Sequence, residues 1–211
     1  MNVTIVGTGR MARGIAIRAF AGGHHVTFVG TAIAKAEDLA EELTGYGAAR
    51  SAESIASEIV VLAVPYTQAP HVVRQHADEL AGAVVVDTTN PVDMSRLEPL
   101  DRGYVEPFGS AAEVLAAAAP QGARIVKAFN TTFAGSLVAG EVAGHPLDVF
   151  VAGDDADAKA QVTQLVVDGG MRPIDAGGLA RARELEALGY LHMVVQGSLG
   201  TAFGSAVKVL A

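Results

Sequence analysis

The first thirty residues contain the pattern that most constrains the fold, which is a strand, a glycine-rich turn, a helix and a second strand. Asn2 to Val6 is a short β-branched run that ends in Gly7-Thr8-Gly9. Residues 11–21 place apolar side chains at helical spacing, and His25 to Val29 is a second β-branched run. Parallel strands need a helical crossover between them, so this segment predicts a βαβ unit.

The same alternation continues through most of the chain. It predicts further strands over 58–64, 83–87, 124–129, 148–152 and 171–175, and helices over 34–43, 68–80, 111–119 and 157–167. The Val-rich and Ile-rich runs have no period of two, which is typical of strands covered on both faces. We therefore expect an α/β fold of the Rossmann type, with a doubly wound, mostly parallel sheet.

The 211 residues are expected to form a single domain over 1–211, in which 179–211 is a C-terminal helical element. The segment from Pro91 to Gly109 contains further prolines and predicts a long loop. Residues 187–207 carry no Asp, Glu, Lys or Arg, but glycines and polar side chains interrupt the stretch. Since polar groups are costly in lipid, we favour a helix packed inside the protein or against a second copy over a membrane span. This region is therefore also the predicted contact of a homodimer.

The composition of the chain argues against several classes of function. The net charge of −8 disfavours a general nucleic-acid or anionic membrane surface, although it allows one small anion to bind at one point. The absence of cysteine removes disulfides, thiolate metal sites and cysteine nucleophiles. No other metal site is predicted, because His71 and His76 are five residues apart and do not share a helical face. Without a recognisable secretion signal, the expected location is the cytoplasm.

The glycine-rich turn predicts a dinucleotide site. In Gly7-Thr8-Gly9-Arg10-Met11-Ala12, the first glycine permits a tight turn and the second lets the backbone approach a pyrophosphate. The small Ala12 lets the helix pack on the strand. Amides at the start of this helix then face the phosphates, with the helix dipole in support.

The end of the second predicted strand favours NADP over NAD. A carboxylate there would bond the adenosine ribose of NAD, but after Gly30 the next acid is Glu37. Thr31 can donate a hydrogen bond, Lys35 can supply a positive charge, and Arg10 can reach across from the glycine turn. These three residues are the candidates for the 2′-phosphate of NADP.

At this point the chain resembles a known family, the NADP-dependent reductases of the 8-hydroxy-5-deazaflavin coenzyme. It is similar as well to the NADPH-binding domain of six-transmembrane ferric reductases. The resemblance covers nearly the whole chain and is carried by several short motifs together. These are Gly7-Thr8-Gly9 with Gly14, Val29-Gly30-Thr31, Val64-Pro65-Tyr66, Val86-Asp87 through Asn90-Pro91, Val126-Lys127-Ala128-Phe129-Asn130, Gly153-Asp154-Asp155 and Arg172 through Gly177.

The resemblance implies a cofactor site along these motifs. The backbone of Thr8 to Met11 would hold the pyrophosphate, while Thr31 and Lys35 would face the 2′-phosphate. The ribose and phosphates would be followed by Val64, Pro65, Tyr66 and Gln68, and the nicotinamide would lie near Asn90, Pro91 and Asn130. The chain has Thr31-Ala32 where the family usually carries Ser-Arg, and Asn130 where the deazaflavin reductases tend to carry histidine.

The function expected from this resemblance is hydride transfer between NADP(H) and a flavin-like acceptor, which would be a deazaflavin, FMN or FAD, or a ferric-flavin system. No catalytic side chain is predicted, because the cofactors carry the chemistry. Two alternatives are an NADP-dependent reductase of a small imine or carbonyl compound and a non-catalytic NADP-sensing module.

Several other polar residues are expected to have structural roles and not to bind a ligand. His24 and His25 are expected in a solvated turn, and Asp154 and Asp155 are expected to cap a helix. His192 is expected to be a hydrogen-bonded interior residue. The charged side chains at the start of the last helix are predicted to form a solvated, partly paired face; they are Arg181, Arg183, Glu184 and Glu186.

Overall fold

An eight-stranded sheet forms the middle of the molecule in a computed structural model, which describes residues 1–210 except 48, 94, 96, 97, 99, 100 and 107. The strands of this sheet are β1 (Asn2–Val6), β2 (His25–Val29), β3 (Ala49–Ser51), β4 (Ile59–Leu62), β5 (Val84–Asp87), β6 (Arg124–Lys127), β9 (Asp148–Gly153) and β10 (Arg172–Gly177). A separate two-stranded hairpin consists of β7 (Glu141–Val142) and β8 (His145–Pro146).

Most helices lie between these strands in the sequence, and the last two follow β10. Within the described residues they are α1 (Arg10–Ala21), α2 (Ile33–Glu42), α3 (Ala69–Gln75), α4 (Ala77–Leu80), α5 (Arg102–Val105), α6 (Ala111–Ala118), α7 (Ala134–Ala139), α8 (Ala156–Asp168), α9 (Ala182–Val194) and α10 (Gln196–Leu199). A short 3₁₀ helix, Leu179–Arg181, precedes α9.

The strand order is β10-β9-β6-β5-β4-β1-β2-β3, and neighbouring strands from β6 to β3 pair in parallel. The pair of β6 and β9 is antiparallel, and β9 and β10 are parallel to each other. The six strands β1 to β6 therefore all end at one edge of the sheet. The α/β fold of the Rossmann type, with a mostly parallel sheet and a C-terminal helix, is confirmed.

Apolar side chains cover both faces of the sheet, which explains the continuous Val and Ile runs. In β4, Ile59 and Val61 pack in one core cluster with residues of α1, α2 and α8, while Val60 and Leu62 pack in a second cluster with residues of α3 and α6. Successive side chains of a strand point to opposite faces, so a strand buried on both sides must be apolar throughout.

The structure differs from the sequence prediction at several elements. The prediction missed β3, α5, α7 and the β7–β8 hairpin. The helix predicted over 68–80 is broken at His76, whose backbone is not helical and whose imidazole contacts Glu79. The helix predicted from Leu179 towards Leu210 ends earlier, because Gly200 adopts a left-handed conformation after α10 and the chain beyond it is irregular.

Candidate active site

The turn between β1 and α1 has the geometry of an anion site. Gly7 has φ +122°, and a Cβ atom at this position would overlap the carbonyl oxygen of Ala63. Its amide donates to the carbonyl of Val29 at 2.8 Å, which ties the turn to β2. Gly9 is the N-cap of α1 and provides no side-chain cap, and a Cβ at Gly9 would meet open space. The amides of the first helical turn are thus left to a ligand.

The turn between β2 and α2 lies beside the glycine turn. A Cβ on Gly30 would come within 3.0 Å of the methyl group of Thr8. Thr31 and Lys35 are exposed, and the first turn of α2 contains no acidic residue. Arg10 is also exposed, and within the described part of the chain neither Arg10 nor Lys35 forms an ion pair. A dianionic phosphate group at this turn would therefore meet no acidic side chain from the first turn of α2.

The loop after β4 is held by the segment predicted as a long loop. The Tyr104 hydroxyl, on α5, donates to the backbone carbonyl of Tyr66 at 2.9 Å, and the two rings meet edge to face at a centroid distance of 4.8 Å. The Tyr66 hydroxyl donates to Asp101 at 3.1 Å, and burial together with this carboxylate raises the pKa of Tyr66. Val64, Pro65 and Gln68 continue the same loop towards α3.

Two asparagines join the ends of β5 and β6. The side-chain amide of Asn90 donates to the backbone carbonyl of Asn130 at 2.8 Å. The side-chain amide of Asn130 donates to Oδ1 of Asn90 at 2.9 Å. The side-chain amide of Asn130 also donates to the carbonyl of Leu185 at 2.9 Å, whereas Oδ1 of Asn130 is buried and has no hydrogen-bond partner among the described residues. Buried polar atoms are rarely unpaired, so this free acceptor fits a ligand N–H group. Pro91, which follows Asn90, is buried.

Strained backbone and a close helix contact fix this pair of asparagines. Phe129, directly before Asn130, has φ +65°, an uncommon conformation for a bulky residue. Gly189 of α9 lies against the pair, because a Cβ there would come within 2.9 Å of both the Asn130 carbonyl and Oδ1 of Asn90. Helix α9 can thus sit directly over the ends of β5 and β6.

Lys127, Asp87 and Glu186 form a buried ionic triad close to the asparagines. The motifs did not predict a role for these three charges. Lys127 donates to Asp87 at 2.9 Å, to Glu186 at 2.8 Å and to the carbonyl of Thr89 at 2.5 Å. All three charged side chains are at most 2% exposed. The prediction that Glu186 belongs to a solvated face is wrong, because α9 turns it towards the sheet.

The triad is fully hydrogen-bonded. Glu186 also accepts from the amides of Ala111 and Ala112 at the start of α6, at 3.0 and 3.3 Å. Burial raises the pKa of Glu186, and the positive charge of Lys127 opposes that rise. Burial alone would lower the pKa of Lys127, but the carboxylates of Asp87 and Glu186 outweigh burial and raise that pKa. Lys127 therefore stays protonated.

The remaining histidine and aspartate predictions have mixed outcomes. His25 is exposed, but His24 is buried with Nε2 at 3.2 Å from Asp168, so the prediction of a solvated turn is wrong for His24. His192 is an interior residue as expected, with Nδ1 at 3.1 Å from the Thr131 carbonyl. Asp155 caps α8 as predicted, while Asp154 accepts from the amide of Leu179. The described residues contain no cluster of three or more side chains able to hold a metal.

The predicted site residues thus lie on five turns that follow parallel, neighbouring strands. These strands are β2, β1, β4, β5 and β6, and Asn130 lies after the last of them. In open α/β sheets this edge, at the carboxyl ends of the strands, is where ligands bind. The arrangement offers free helix amides at one end and a free buried acceptor at the other, which suits an elongated ligand with a phosphate group and an amide group.

Comparisons with known proteins identify the family. A family model described as "NADP oxidoreductase coenzyme F420-dependent" matches residues 2–91. The F420-dependent NADP reductase of Methanothermobacter marburgensis is 31% identical over 204 residues, with 89% of this chain and 89% of that protein covered. The chain belongs to this family. It is an NADP-dependent oxidoreductase of the F420 reductase type, which confirms the resemblance deduced from the motifs.

A solved structure and a second relative extend the comparison. A crystal structure from Arthrobacter sp. FB24, of a candidate F420-dependent NADP reductase, shares the fold with a TM-score of 0.83, at 30% identity and with 99% of both chains covered. Metalloreductase STEAP3 of Rattus norvegicus is 32% identical over 187 residues, which are 89% of this chain. The match covers only 36% of the metalloreductase. Among the helices of the described residues, none combines the length and apolar character that a bilayer crossing requires.

Proposed function

We propose that this oxidoreductase transfers a hydride between NADP(H) and a deazaflavin of the F420 type. The free N-terminus of α1 behind Gly7 and Gly9 is the observation that carries the proposal, because it offers unpaired amides to a pyrophosphate. The similarity to F420-dependent NADP reductases over 89% of both chains supports the acceptor.

The proposed cofactor position follows the carboxyl edge of the sheet. The backbone of Thr8 to Met11 holds the pyrophosphate, and Arg10, Thr31 and Lys35 surround the 2′-phosphate. Val64, Pro65, Tyr66 and Gln68 line the ribose and phosphates, and Asn90, Pro91 and Asn130 face the nicotinamide. The free Oδ1 of Asn130 supports the last assignment, since a carboxamide offers the N–H group that this acceptor lacks.

The contribution of the protein to the reaction is orientation. The bound dinucleotide supplies the hydride, so the chain needs no acid or base at the reacting carbon. Asn90 and Asn130 hold the nicotinamide in one orientation, and the buried Pro91, which follows Asn90, keeps water from that end of the site. Fixing two reactants in contact replaces a collision of free molecules and accounts for much of the rate.

The metalloreductase relative supports a second acceptor. Its 32% identity to this chain, together with Asn130 where the deazaflavin reductases tend to carry histidine, supports a ferric-flavin system as the electron acceptor. The experiment is therefore an acceptor comparison, in which NADPH oxidation is followed with F420, FMN, FAD and ferric chelates in parallel. Fastest turnover with F420 supports the proposal, and turnover with none of them overturns both versions.

The preference for NADP is tested by substitution. Replacing Thr31 with Ala and Lys35 with Met should weaken NADPH binding by about tenfold or more, because it removes two interactions with a doubly charged group. NADH, which lacks the 2′-phosphate, should bind as before. Fluorescence titration with both nucleotides measures this. Equal losses for NADPH and NADH would show that Thr31 and Lys35 do not contact the 2′-phosphate.

Two further proposals concern the cellular location and the oligomeric state of the protein. A cytoplasmic location is in keeping with diffusible substrates. A homodimer through the C-terminal region is supported by the exposed apolar side chains of Leu191, Val194 and Leu199, which lie in the stretch without charged residues. Light scattering on the purified protein tests the dimer.

A further inference from the structure

The buried triad of Asp87, Lys127 and Glu186 connects four elements near the proposed nicotinamide position. Asp87 and Lys127 are register partners at the ends of β5 and β6, and Glu186 comes from α9. Glu186 reaches the start of α6 through the amides of Ala111 and Ala112. The triad therefore links two strand ends and two helices through charged hydrogen bonds, which are stronger than neutral ones.

Buried charges are not an efficient way to stabilise a core. Moving a lysine and two carboxylates out of water is costly, and well-packed apolar residues of similar volume often stabilise a core as well or better. The neighbouring positions of β5 and β6 are apolar and buried, with Val84, Val85, Val86 and Val126 all in the core. The charges at the last position of each strand thus call for an explanation other than core packing.

The contacts of the triad supply that explanation. Lys127 binds the carbonyl of Thr89, and Asp87 Oδ1 accepts from the amide of Thr89 at 2.9 Å, so both polar backbone atoms of the residue before Asn90 are held. On the other side, Glu186 directly follows Leu185, whose carbonyl accepts from the Asn130 amide. The triad thus fixes two chain segments next to the asparagine pair. One contains Thr89, which precedes Asn90, and the other contains Leu185, which contacts Asn130.

We propose that Lys127, with Asp87 and Glu186, is a positioning group for hydride transfer that keeps the Asn90–Asn130 pair in place against the nicotinamide. This role rests on the proposed function. Among the described residues, the side-chain hydrogen bonds of the triad to other residues go to Thr89, Ala111 and Ala112 and not to the glycine turn between β1 and α1, where the pyrophosphate is held, so the positioning role concerns the reacting end of the cofactor. Damage to the triad should consequently slow the hydride transfer step more than it weakens NADPH binding.

Two substitutions test this inference. Glu186→Gln keeps the side-chain volume but places an N–H group where an oxygen now accepts, and Lys127→Met removes all three ammonium donors. The control is Lys159→Met, which breaks an ion pair with Asp175 at 2.9 Å between α8 and β10, away from the asparagines. Circular dichroism and thermal unfolding establish which variants are folded. Glu186→Gln is the decisive variant, because it leaves the volume of the interior unchanged.

Single-turnover stopped-flow measurements with NADPH and F420 give the hydride transfer rate constant, and fluorescence titration gives the dissociation constant of NADPH. For Glu186→Gln we expect the rate constant to fall by about tenfold or more while the dissociation constant changes by less than about threefold. NADPH carrying deuterium at both C4 positions should show a larger isotope effect on steady-state turnover, because hydride transfer becomes rate-limiting. Lys159→Met should leave all three quantities within about twofold of the wild type.

The outcomes separate the two proposals. Wild-type protein without turnover of F420 would overturn the proposed function and this inference with it. An active wild type whose rate constant is unchanged by Glu186→Gln would overturn only the positioning role. The same holds if the rate constant and the NADPH affinity fall by equal factors, or if Lys159→Met has the same effect as Glu186→Gln.

Discussion

Gly7 and Gly9 perform different tasks although they are only two residues apart. Gly7 has a positive φ and no room for a side chain beside Ala63, so the fold itself requires glycine there. Gly9 has φ −86° and open space around the position of a Cβ, so the folded protein alone does not require glycine. In the proposed function, the space before Gly9 is taken by pyrophosphate.

This difference gives a prediction for two alanine variants. Gly7→Ala should lower the free energy of unfolding by about 2 kcal/mol or more, from strain and overlap. Gly9→Ala should change stability by no more than about 1 kcal/mol, the usual range for an N-cap substitution of this kind, but should weaken NADPH binding. Urea unfolding and NADPH titration of both variants measure the two effects. A Gly9→Ala protein that binds NADPH as tightly as the wild type would contradict the proposed phosphate position.

At the scale of elements, Lys208 and Val209 are bound to the sheet through hydrogen bonds to Asp148. Asp148 at the start of β9 is buried and accepts from Lys208 at 2.6 Å and from the Val209 amide at 2.8 Å. Arg172 of β10 binds the same carboxylate through Nε at 2.7 Å and also contacts the carbonyl of Val209. Burial opposes ionisation of Asp148, but hydrogen bonds from Arg172 and Lys208 hold its pKa well below the ordinary value.

A chain that ends at Val207 should be less stable in a pH-dependent manner. We expect a loss of about 1 to 3 kcal/mol at pH 7, because the truncation removes the hydrogen bonds of Lys208 and Val209 to a buried carboxylate. A carboxyl whose pKa is lowered by folding stabilises the protein above its unfolded pKa, and this stability is lost as the pH falls through the folded pKa. The difference between the truncated chain and the 211-residue chain should therefore shrink below about pH 4. Urea unfolding at several pH values measures it, and a difference independent of pH would rule out Asp148 as the anchor.

Local sequence patterns predicted those helices, strands and turns that are determined by residues close together in the sequence. The β1–α1 turn follows from two glycines after a β-branched run, and the predicted bounds of β1 and β2 match the structure. The short β3 and the hairpin have too few residues to show a period. The break lies at His76, where the backbone is not helical and the imidazole contacts Glu79, and an apolar pattern does not record such a side-chain contact.

The triad could not be predicted from local patterns because Lys127 and Glu186 are 59 residues apart and meet only when α9 packs over the sheet edge. A signal was nevertheless present. Lys127 directly follows the apolar Ile125 and Val126, and a charge at the end of a buried strand requires a partner of opposite charge. The sequence does not reveal which of the 23 acidic residues supplies it.

At the scale of the whole molecule, the proposed cofactor would connect turns that follow five strands. A ligand that binds only the folded state at 100 times its dissociation constant adds about 2.7 kcal/mol to the stability. For a chain of this length NADPH should raise the unfolding temperature by roughly 5 to 11 °C. A thermal shift titration measures this, with NADH at equal concentration as the weaker ligand. No shift at saturating NADPH would contradict binding to the folded protein.

The two outer strands of the sheet limit how copies of the protein can associate. At one edge β3 has only three residues, and its central residue is Arg50. At the other edge β10 contains Pro173, which has no amide proton to offer to an incoming strand. Short, charged or proline-containing edges disfavour pairing with another chain. Both edges are thus protected against growth into a continuous intermolecular sheet, so a stable assembly of this protein should form through its helices and should resist fibrillar aggregation.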